Sequence, residues 1–219
     1  MINNFEKALE ILDFTDPDKY YIGQIIRRRK DWGNGGLEKG DFTIYNFDFS
    51  TEESYKKQIP FLKNLAKSTL SRIYLYPNRC SREYSFKEMQ LKMAKRGLNS
   101  HFTGMFGDYA SVSLSHPKEP RETKKWLFDV DTDSEEILDK LIEFLVKSNV
   151  KIYLYMPTAN GYHVITSPFP INSFPKIDFV ECKKDSQFLL YYAYAEPTRM
   201  DYDQIFTNCI NKHYTNKVS

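Results

Sequence analysis

The sequence predicts a mixed α/β fold of the α+β kind. An N-terminal α/β module over residues 1–118 packs on an RRM-like (ferredoxin-like) antiparallel sheet with helices over residues 119–219, the two forming one compact unit. Three observations carry this. Between Trp126 and Thr166 the periodicity runs strand, helix, strand, strand, the first two-thirds of a ferredoxin-like unit in which the first and third strands lie side by side. A polar, proline-punctuated stretch from Ser113 to Lys125 separates that pattern from what precedes it. Finally, 41% apolar residues, with 16 Tyr, 16 Phe and 2 Trp spread along 219 positions, supply enough apolar surface to bury, which excludes a disordered chain.

Phe5, Ala8, Leu9 and Leu12 recur at helical spacing within Asn4 to Leu12. Tyr20 to Ile26 is apolar without a period, strand or helix, and leads into Arg27-Arg28-Arg29-Lys30 and a Gly33-Asn34-Gly35-Gly36 loop. Phe42 to Phe49 reads as a strand. Ser50 with Glu53 forms a capping-box signal for a helix reaching about Thr69 and disturbed at Pro60. Ser71 to Tyr76 is a strand, and Ser85 to Arg96 a helix with Phe86, Met89, Leu91 and Met93 on its apolar side and Gly97 as its stop.

After the boundary, Trp126 to Asp131 is a buried strand and Thr132-Asp133-Ser134 a cap. Glu135 to Ser148 is a helix burying Ile137, Leu138, Leu141, Ile142 and Leu145. Val150 to Met156 and Tyr162 to Thr166 are strands joined by Pro157-Thr158-Ala159-Asn160-Gly161. Two more strands follow over Ile177 to Cys182 and Gln187 to Tyr194. A helix from Asp201 to His213 faces Tyr202, Ile205, Phe206, Cys209 and Ile210 inward.

No apolar run approaches the roughly 18 residues that span a bilayer, and the first residues lack a signal-peptide pattern, so a cytoplasmic protein without a membrane partner is expected. Cys80, Cys182 and Cys209 form no C-x-x-C pair, so neither a disulfide framework nor a zinc site is expected. With 31 basic and 29 acidic residues the net charge of +2 does not by itself point to nucleic acid; local patches must carry that argument.

Asp129 and Asp131 are two apart in a strand, so both carboxylates leave one face while Phe128 and Val130 leave the other. Two carboxylates this close repel unless a cation neutralises them, and Mg²⁺ or Mn²⁺ is the hard ion that oxygen ligands suit. His163 opens the strand that neighbours theirs, two residues after Gly161, where a ligand can approach the backbone closely. His101, His116 and His213 have no such setting.

Taken together, Trp126-Leu127-Phe128-Asp129-Val130-Asp131, the turn Thr158-Ala159-Asn160-Gly161-Tyr162-His163-Val164 and Phe179-Val180-Glu181 resemble the three motifs of the archaeo-eukaryotic primase superfamily. Those motifs are an apolar run ending in D-x-D, a small-residue turn ending in x-x-H, and an apolar-apolar-acid strand. The resemblance spans about 60 residues. It implies that Asp129, Asp131 and Glu181 hold two divalent ions, Mg²⁺ or Mn²⁺, and that Asp129, Asp131 and His163 are catalytic. It also implies that Thr158, Asn160, Gly161 and His163 contact the phosphates of an incoming (d)NTP. The chemistry implied is in-line attack of a 3′-hydroxyl on the α-phosphate between ions roughly 4 Å apart. The short chain looks like family members carried by phages and plasmids, which would place it in a host cytoplasm with a nucleic-acid template or primer and replication proteins as partners. Three features depart from the family: Gly161 stands where many members have serine, Asp178 and Asp185 flank Glu181 as rival third acids, and the cysteine cluster of zinc-bearing primases is missing.

Basic side chains add a second layer. Arg79 and Arg82 are candidate triphosphate ligands, since guanidinium binds phosphate bidentately. Arg27, Arg28, Arg29 and Lys30, with Lys124 and Lys125 before the acidic strand, are candidates to follow a nucleic-acid backbone. The leading expectation is a primase-polymerase-like nucleotidyltransferase. A catalytically inactive nucleic-acid or nucleotide-binding accessory protein and a metal-dependent nuclease are the alternatives.

Overall fold

A computed structural model describes residues 1–31, 40–96, 105–115, 119–120, 122–195 and 202–215. The Gly33 to Gly36 loop, Gly97, His101, His116 and Asp201 lie outside the described residues. The described chain is mixed α/β, with two antiparallel sheets and six helices.

The first sheet takes β1 (Ile2–Asn3), β2 (Lys19–Arg27), β3 (Phe42–Phe49), β4 (Arg72–Leu75), β5 (Cys80–Ser81) and, from far along the chain, β10 (Phe188–Tyr192). Its order is β1-β10-β4-β2-β3, with β5 paired to the start of β2. Tyr21, Ile25, Phe47, Phe49, Ile73, Leu75 and Phe188 form one face of this sheet. They pack with Phe5 and Ala8 of α1 (Phe5–Leu9) and with Tyr55, Leu62 and Ala66 of α2 (Glu52–Ser68). The cap of α2 is Thr51, whose hydroxyl accepts from the Ser54 N–H while Ser54 Oγ accepts from the Thr51 N–H, so the reciprocal box lies one residue beyond the Ser50 and Glu53 pair that the sequence points to. Pro60 does not interrupt the helix; it is exposed, as is Lys56, so the carbonyl that loses its donor faces water.

The opposite face is covered at one end by α4 (Met105–Leu114), which the sequence reading missed, through Tyr20, Ile22, Cys80 and Ala110. Tyr20 bonds Ser85 Oγ at 2.9 Å and Ser113 Oγ at 2.6 Å there. In α3 (Arg82–Arg96) the expected apolar side is not buried: Phe86, Leu91 and Met93 are exposed, because α3 meets α4 and β5 along a different line.

The second sheet is built from β6 (Trp126–Val130), β7 (Ile152–Pro157), β8 (Tyr162–Thr166) and β9 (Val180–Lys183) in the order β7-β8-β6-β9. Its first and third strands in sequence, β6 and β8, are central neighbours, as a ferredoxin-like pattern requires. No α-helix joins β8 to β9; the connection holds a single 3₁₀ turn, Ile171–Ser173, and α6 (Tyr202–Thr215) instead packs beside α5 (Glu135–Lys147). Phe128, Val130, Tyr162 and Val164 bury the helix-side face against Leu138, Leu141, Ile142 and Leu145 of α5 and Phe206 and Cys209 of α6.

The other face of the second sheet decides where a site can form. Leu127, Leu154, Met156 and Ile165 join the same core as α1, α2 and the first sheet, so the two sheets share one apolar centre. The strand expected over Gln187 to Tyr194 is β10, which leaves the second sheet and pairs with β4 and β1 of the first, because its continuous apolar run suits a centrally buried strand. Among the described residues no helix is long and apolar enough to cross a membrane.

Arg79 belongs to this framework and not to a ligand site. Its Nε donates to Glu119 Oε1 at 2.5 Å and its Nη1 meets Asp13 Oδ2 at 2.8 Å, while Thr123 and Lys19 also reach Glu119. Both Arg79 and Glu119 are buried, which stitches the segment ahead of β6 to the β4–β5 turn. Burial works to raise the Glu119 pKa, but the hydrogen bond and charge of Arg79, with Thr123 and Lys19, outweigh it and hold the carboxyl below its ordinary range. Arg79→Ala strands a buried carboxylate and is expected to cost about 3–5 kcal/mol in urea unfolding at pH 7. Since the folded-state pKa lies below the ordinary 4.5, the contribution is present above pH 4.5 and lost as pH falls below it. The stability gap between wild type and Arg79→Ala should therefore narrow in unfolding series run from pH 5 downward.

Candidate active site

Toward its open end, the shared face of the second sheet turns from apolar to polar. Leu127 gives way to Asp129 and Asp131 along β6, and Ile165 to His163 along β8, by the two-residue repeat of a strand. The register then sets a row across all four strands: Met156, His163, Asp129 and Glu181 stand side by side. Asp131 continues the face past the end of β6, where its N–H donates to the Phe179 carbonyl at 2.9 Å.

Asp129, Asp131 and His163 form one wall of a cleft of roughly 200 Å³ between the two sheets. Asp129, Asp131, His163 and Lys183 line it from the second sheet, and Thr158, Ala159 and Asn160 from the β7–β8 turn; Arg72 and Tyr74 of β4, with Arg28 and Lys30 just past the end of β2, line it from the side of the first sheet. Among the described residues three cations, Arg28, Lys30 and Arg72, thus face two carboxylates and Lys183 across a polar space. Arg72 is fixed by a bidentate pair with Asp31 and lies 4.3 Å from the Tyr192 ring centroid; Arg28 pairs with Asp41 at 2.8 Å and stands over Tyr74.

The centre of the polar row is a bonded triad of Asp129, His163 and Lys183. Asp129 Oδ1 lies 3.3 Å from His163 Nε2, and Asp129 Oδ2 accepts from Lys183 Nζ at 2.7 Å. On its other side His163 Nδ1 accepts the Leu189 backbone N–H at 3.1 Å, so the neutral ring carries its proton on Nε2, aimed at Asp129. Burial acts to raise the Asp129 pKa, yet the hydrogen bonds from His163 and Lys183, with the charge of Lys183, prevail and hold it far below the usual carboxylate range. The carboxylate is ionised throughout the neutral range.

Of the acids named from sequence, Asp129 and Asp131 therefore share the cleft with His163. Glu181 stands opposite Asp129 in register but is 72% exposed at the rim, where Lys183 Nζ reaches its Oε2 at 3.2 Å. Asp185 pairs with Lys124 at 3.0 Å, so of the three rival acids Glu181 is the one in the row. Among the described residues no group of three or more His, Cys, Asp or Glu is drawn together as a metal cage. Thr158 and Asn160 lie in the cleft, in a turn closed by the Thr158 N–H donating to the Gly161 carbonyl at 2.8 Å.

Several expectations are corrected. Arg79 is sequestered by Glu119, as described above. Arg82 begins α3, 5.4 Å from the Tyr20 ring centroid, and lines a separate hollow with Phe86 and Tyr109, because β5 and α3 attach to the far end of β2. Of the basic run only Arg28 and Lys30 line the cleft; Arg27 and Arg29, the alternate residues, do not. Lys125 is mostly buried, its pKa lowered by that burial, and its backbone is held by Asn78. It and Lys124 precede β6, whereas the acids lie at the other end of that strand, roughly 16 Å away at about 3.3 Å per residue. The sequence reading missed Arg72, Tyr74 and Lys183. Lys183 had a signal, being two residues after Glu181 and so on the same face of a strand; Arg72 had none, since its position depends on how the sheets meet.

Gly161 is needed for a close approach, but to the protein itself. A Cβ there would stand 2.1 Å from the Val130 carbonyl oxygen and 2.5 Å from that of Thr132. Both atoms are backbone and cannot rotate aside. Gly161→Ala is accordingly expected to push the turn off the end of β6, costing about 1–3 kcal/mol in thermal or urea unfolding and displacing His163 from Asp129. Loss of the His163 to Asp129 contact should show as a shifted imidazole signal in NMR spectra of the variant.

Comparison with known protein families, characterised proteins and solved structures gave no match for this chain.

Proposed function

We propose that this chain is a primase-polymerase-like nucleotidyltransferase, adding nucleotides to a nucleic-acid 3′ end or making primers. The observation that carries the reading is the cleft itself: Asp129, Asp131 and His163 face Arg28, Lys30 and Arg72 across a space floored by the Thr158 to Asn160 turn. A wall of carboxylates opposite a wall of guanidinium and ammonium groups suits a polyphosphate, with the cations taking its oxygens.

Asp129 and Asp131 present carboxylate oxygens from one strand face, the donor chemistry that Mg²⁺ or Mn²⁺ favours, so the residues present fit a divalent ion at this wall. When bound there, the ion supplies charge neutralisation for the nucleotide phosphates. The chain's own groups do the rest. Arg28 and Lys30 hold the phosphate tail from the first sheet, and the guanidinium of Arg72, braced by Asp31, adds a fixed charge beside them. His163, with its N–H on Nε2, orients Asp129 through Oδ1. Buried Thr158 and the neighbouring Asn160 position the phosphates against the end of β6.

A second reading is favoured by one observation, that both oxygens of Asp129 are already engaged by His163 and Lys183. An acid neutralised from within fits a protein that binds nucleotide or nucleic acid without turning it over.

Extension assays on primed and unprimed templates with Mg²⁺ or Mn²⁺ separate the two. Asp129→Asn and Asp131→Asn are expected to reduce incorporation by about 10²–10³-fold or more while the thermal transition is retained. Arg28→Ala and Lys30→Ala should weaken nucleotide binding, read by fluorescence titration, with a smaller salt dependence than wild type. Salt-sensitive binding with no incorporation under any metal or nucleotide condition would leave the binding reading. Cleavage of labelled strands with metal but no nucleotides would indicate a nuclease instead.

A further inference from the structure

Among the described residues, Lys183 is the one cation lining the cleft that arises from the acidic wall itself. It follows Glu181 by two residues on β9 and so shares its face, and it lies diagonal to Asp129 in the β6–β9 register. Its Nζ sits between Asp129 Oδ2 at 2.7 Å and Glu181 Oε2 at 3.2 Å, while the side chain stays 30% exposed along the cleft. With His163 on Oδ1, no oxygen of Asp129 is left unengaged.

A divalent ion bound by Asp129 takes a carboxylate oxygen at about 2.1 Å. An ammonium on that same oxygen occupies the ion's approach and repels it. Asp129 cannot retreat, since β6 is central and its neighbours on both sides are paired, whereas Lys183 has a flexible four-carbon stem with one open side. We infer that Lys183 is a built-in competitor of the divalent cation. It bridges Asp129 and Glu181 while the ion is absent and turns into the cleft, toward the phosphate-facing cations, when the ion enters. The inference rests on the reading above that Asp129 takes a divalent ion, and it adds a regulation of that site: metal affinity is held down until a polyanion draws the ammonium away.

The test is Mn²⁺ binding without nucleotide, followed by the electron paramagnetic resonance signal of free Mn²⁺. Lys183→Met keeps the stem and removes the charge, and it should tighten Mn²⁺ binding by at least about tenfold; Lys183→Arg should not. Asp129→Asn placed on Lys183→Met should abolish the gain. Equal or weaker binding in Lys183→Met, with Asp129→Asn still lowering it, overturns the competitor role and leaves the metal-dependent reading standing. Mn²⁺ binding absent from every variant removes both. A second measurement covers a Lys183→Met chain that fails to fold: after reductive ¹³C-methylation of wild type, the Lys183 signal should move on addition of Mg²⁺, and a signal that stays in place refutes the displacement.

Discussion

Everything about the cleft depends on the peptide of Leu189. Its N–H binds His163 Nδ1, and its carbonyl accepts from Asn4 Nδ2, whose amide also donates to the Pro157 carbonyl at the end of β7. One residue of the first sheet thus holds the ring of the second sheet's histidine and is tied in turn to the strand edge beside it. The pairing of β10 with β4 shifts register between Leu189 and Tyr191, an irregularity that re-aims backbone groups in just this way. Asn4 is buried, so its amide is fully committed to this joint. Beneath it the shared core of both sheets keeps the two walls at a fixed separation.

Much of the second sheet was legible because its signals are local. Periodicity two places Asp129 and Asp131 together whatever surrounds them, and the helical stripe of Leu138, Leu141, Ile142 and Leu145 is buried as its spacing demands. The same logic fails where burial is decided by a partner element. Phe86, Leu91 and Met93 read as a core stripe but face solvent, since nothing in a helix's own spacing says which neighbour it will meet. Arg79 has the chemistry of a phosphate ligand, and Glu119, 40 residues away, claims it. The basic wall of Arg28, Lys30 and Arg72 was only half visible for the same reason: the run before β3 stood out as a cluster, while Arg72 is a single arginine in an apolar strand.

The overall balance of 31 basic against 29 acidic residues conceals a sharp local pattern. Within the cleft, cations of the first sheet confront carboxylates of the second, while outside it many charges are spent on short helical pairs such as Glu136 with Lys140 and Glu143 with Lys147. Such exposed pairs contribute little to stability, on the order of 0.3–0.5 kcal/mol each. Net charge is therefore a poor guide to a surface on which a few buried or cleft-facing ions set the potential.

The pairing of β1 with β10 joins Ile2 to Tyr192, a closure of 190 residues. On a ribosome adding about 5–20 residues per second, the first strand would wait roughly 10–40 s for its neighbour to be made. During that interval β4 lacks its neighbour β10, and His163 lacks the backbone group that sets its tautomer. Helices and hairpins of the second sheet can form meanwhile, but the cleft cannot. Assembly of the charged walls is deferred until β10 has been synthesised, so a nascent fragment ending before β10 would carry the D-x-D strand without the geometry that makes it a site.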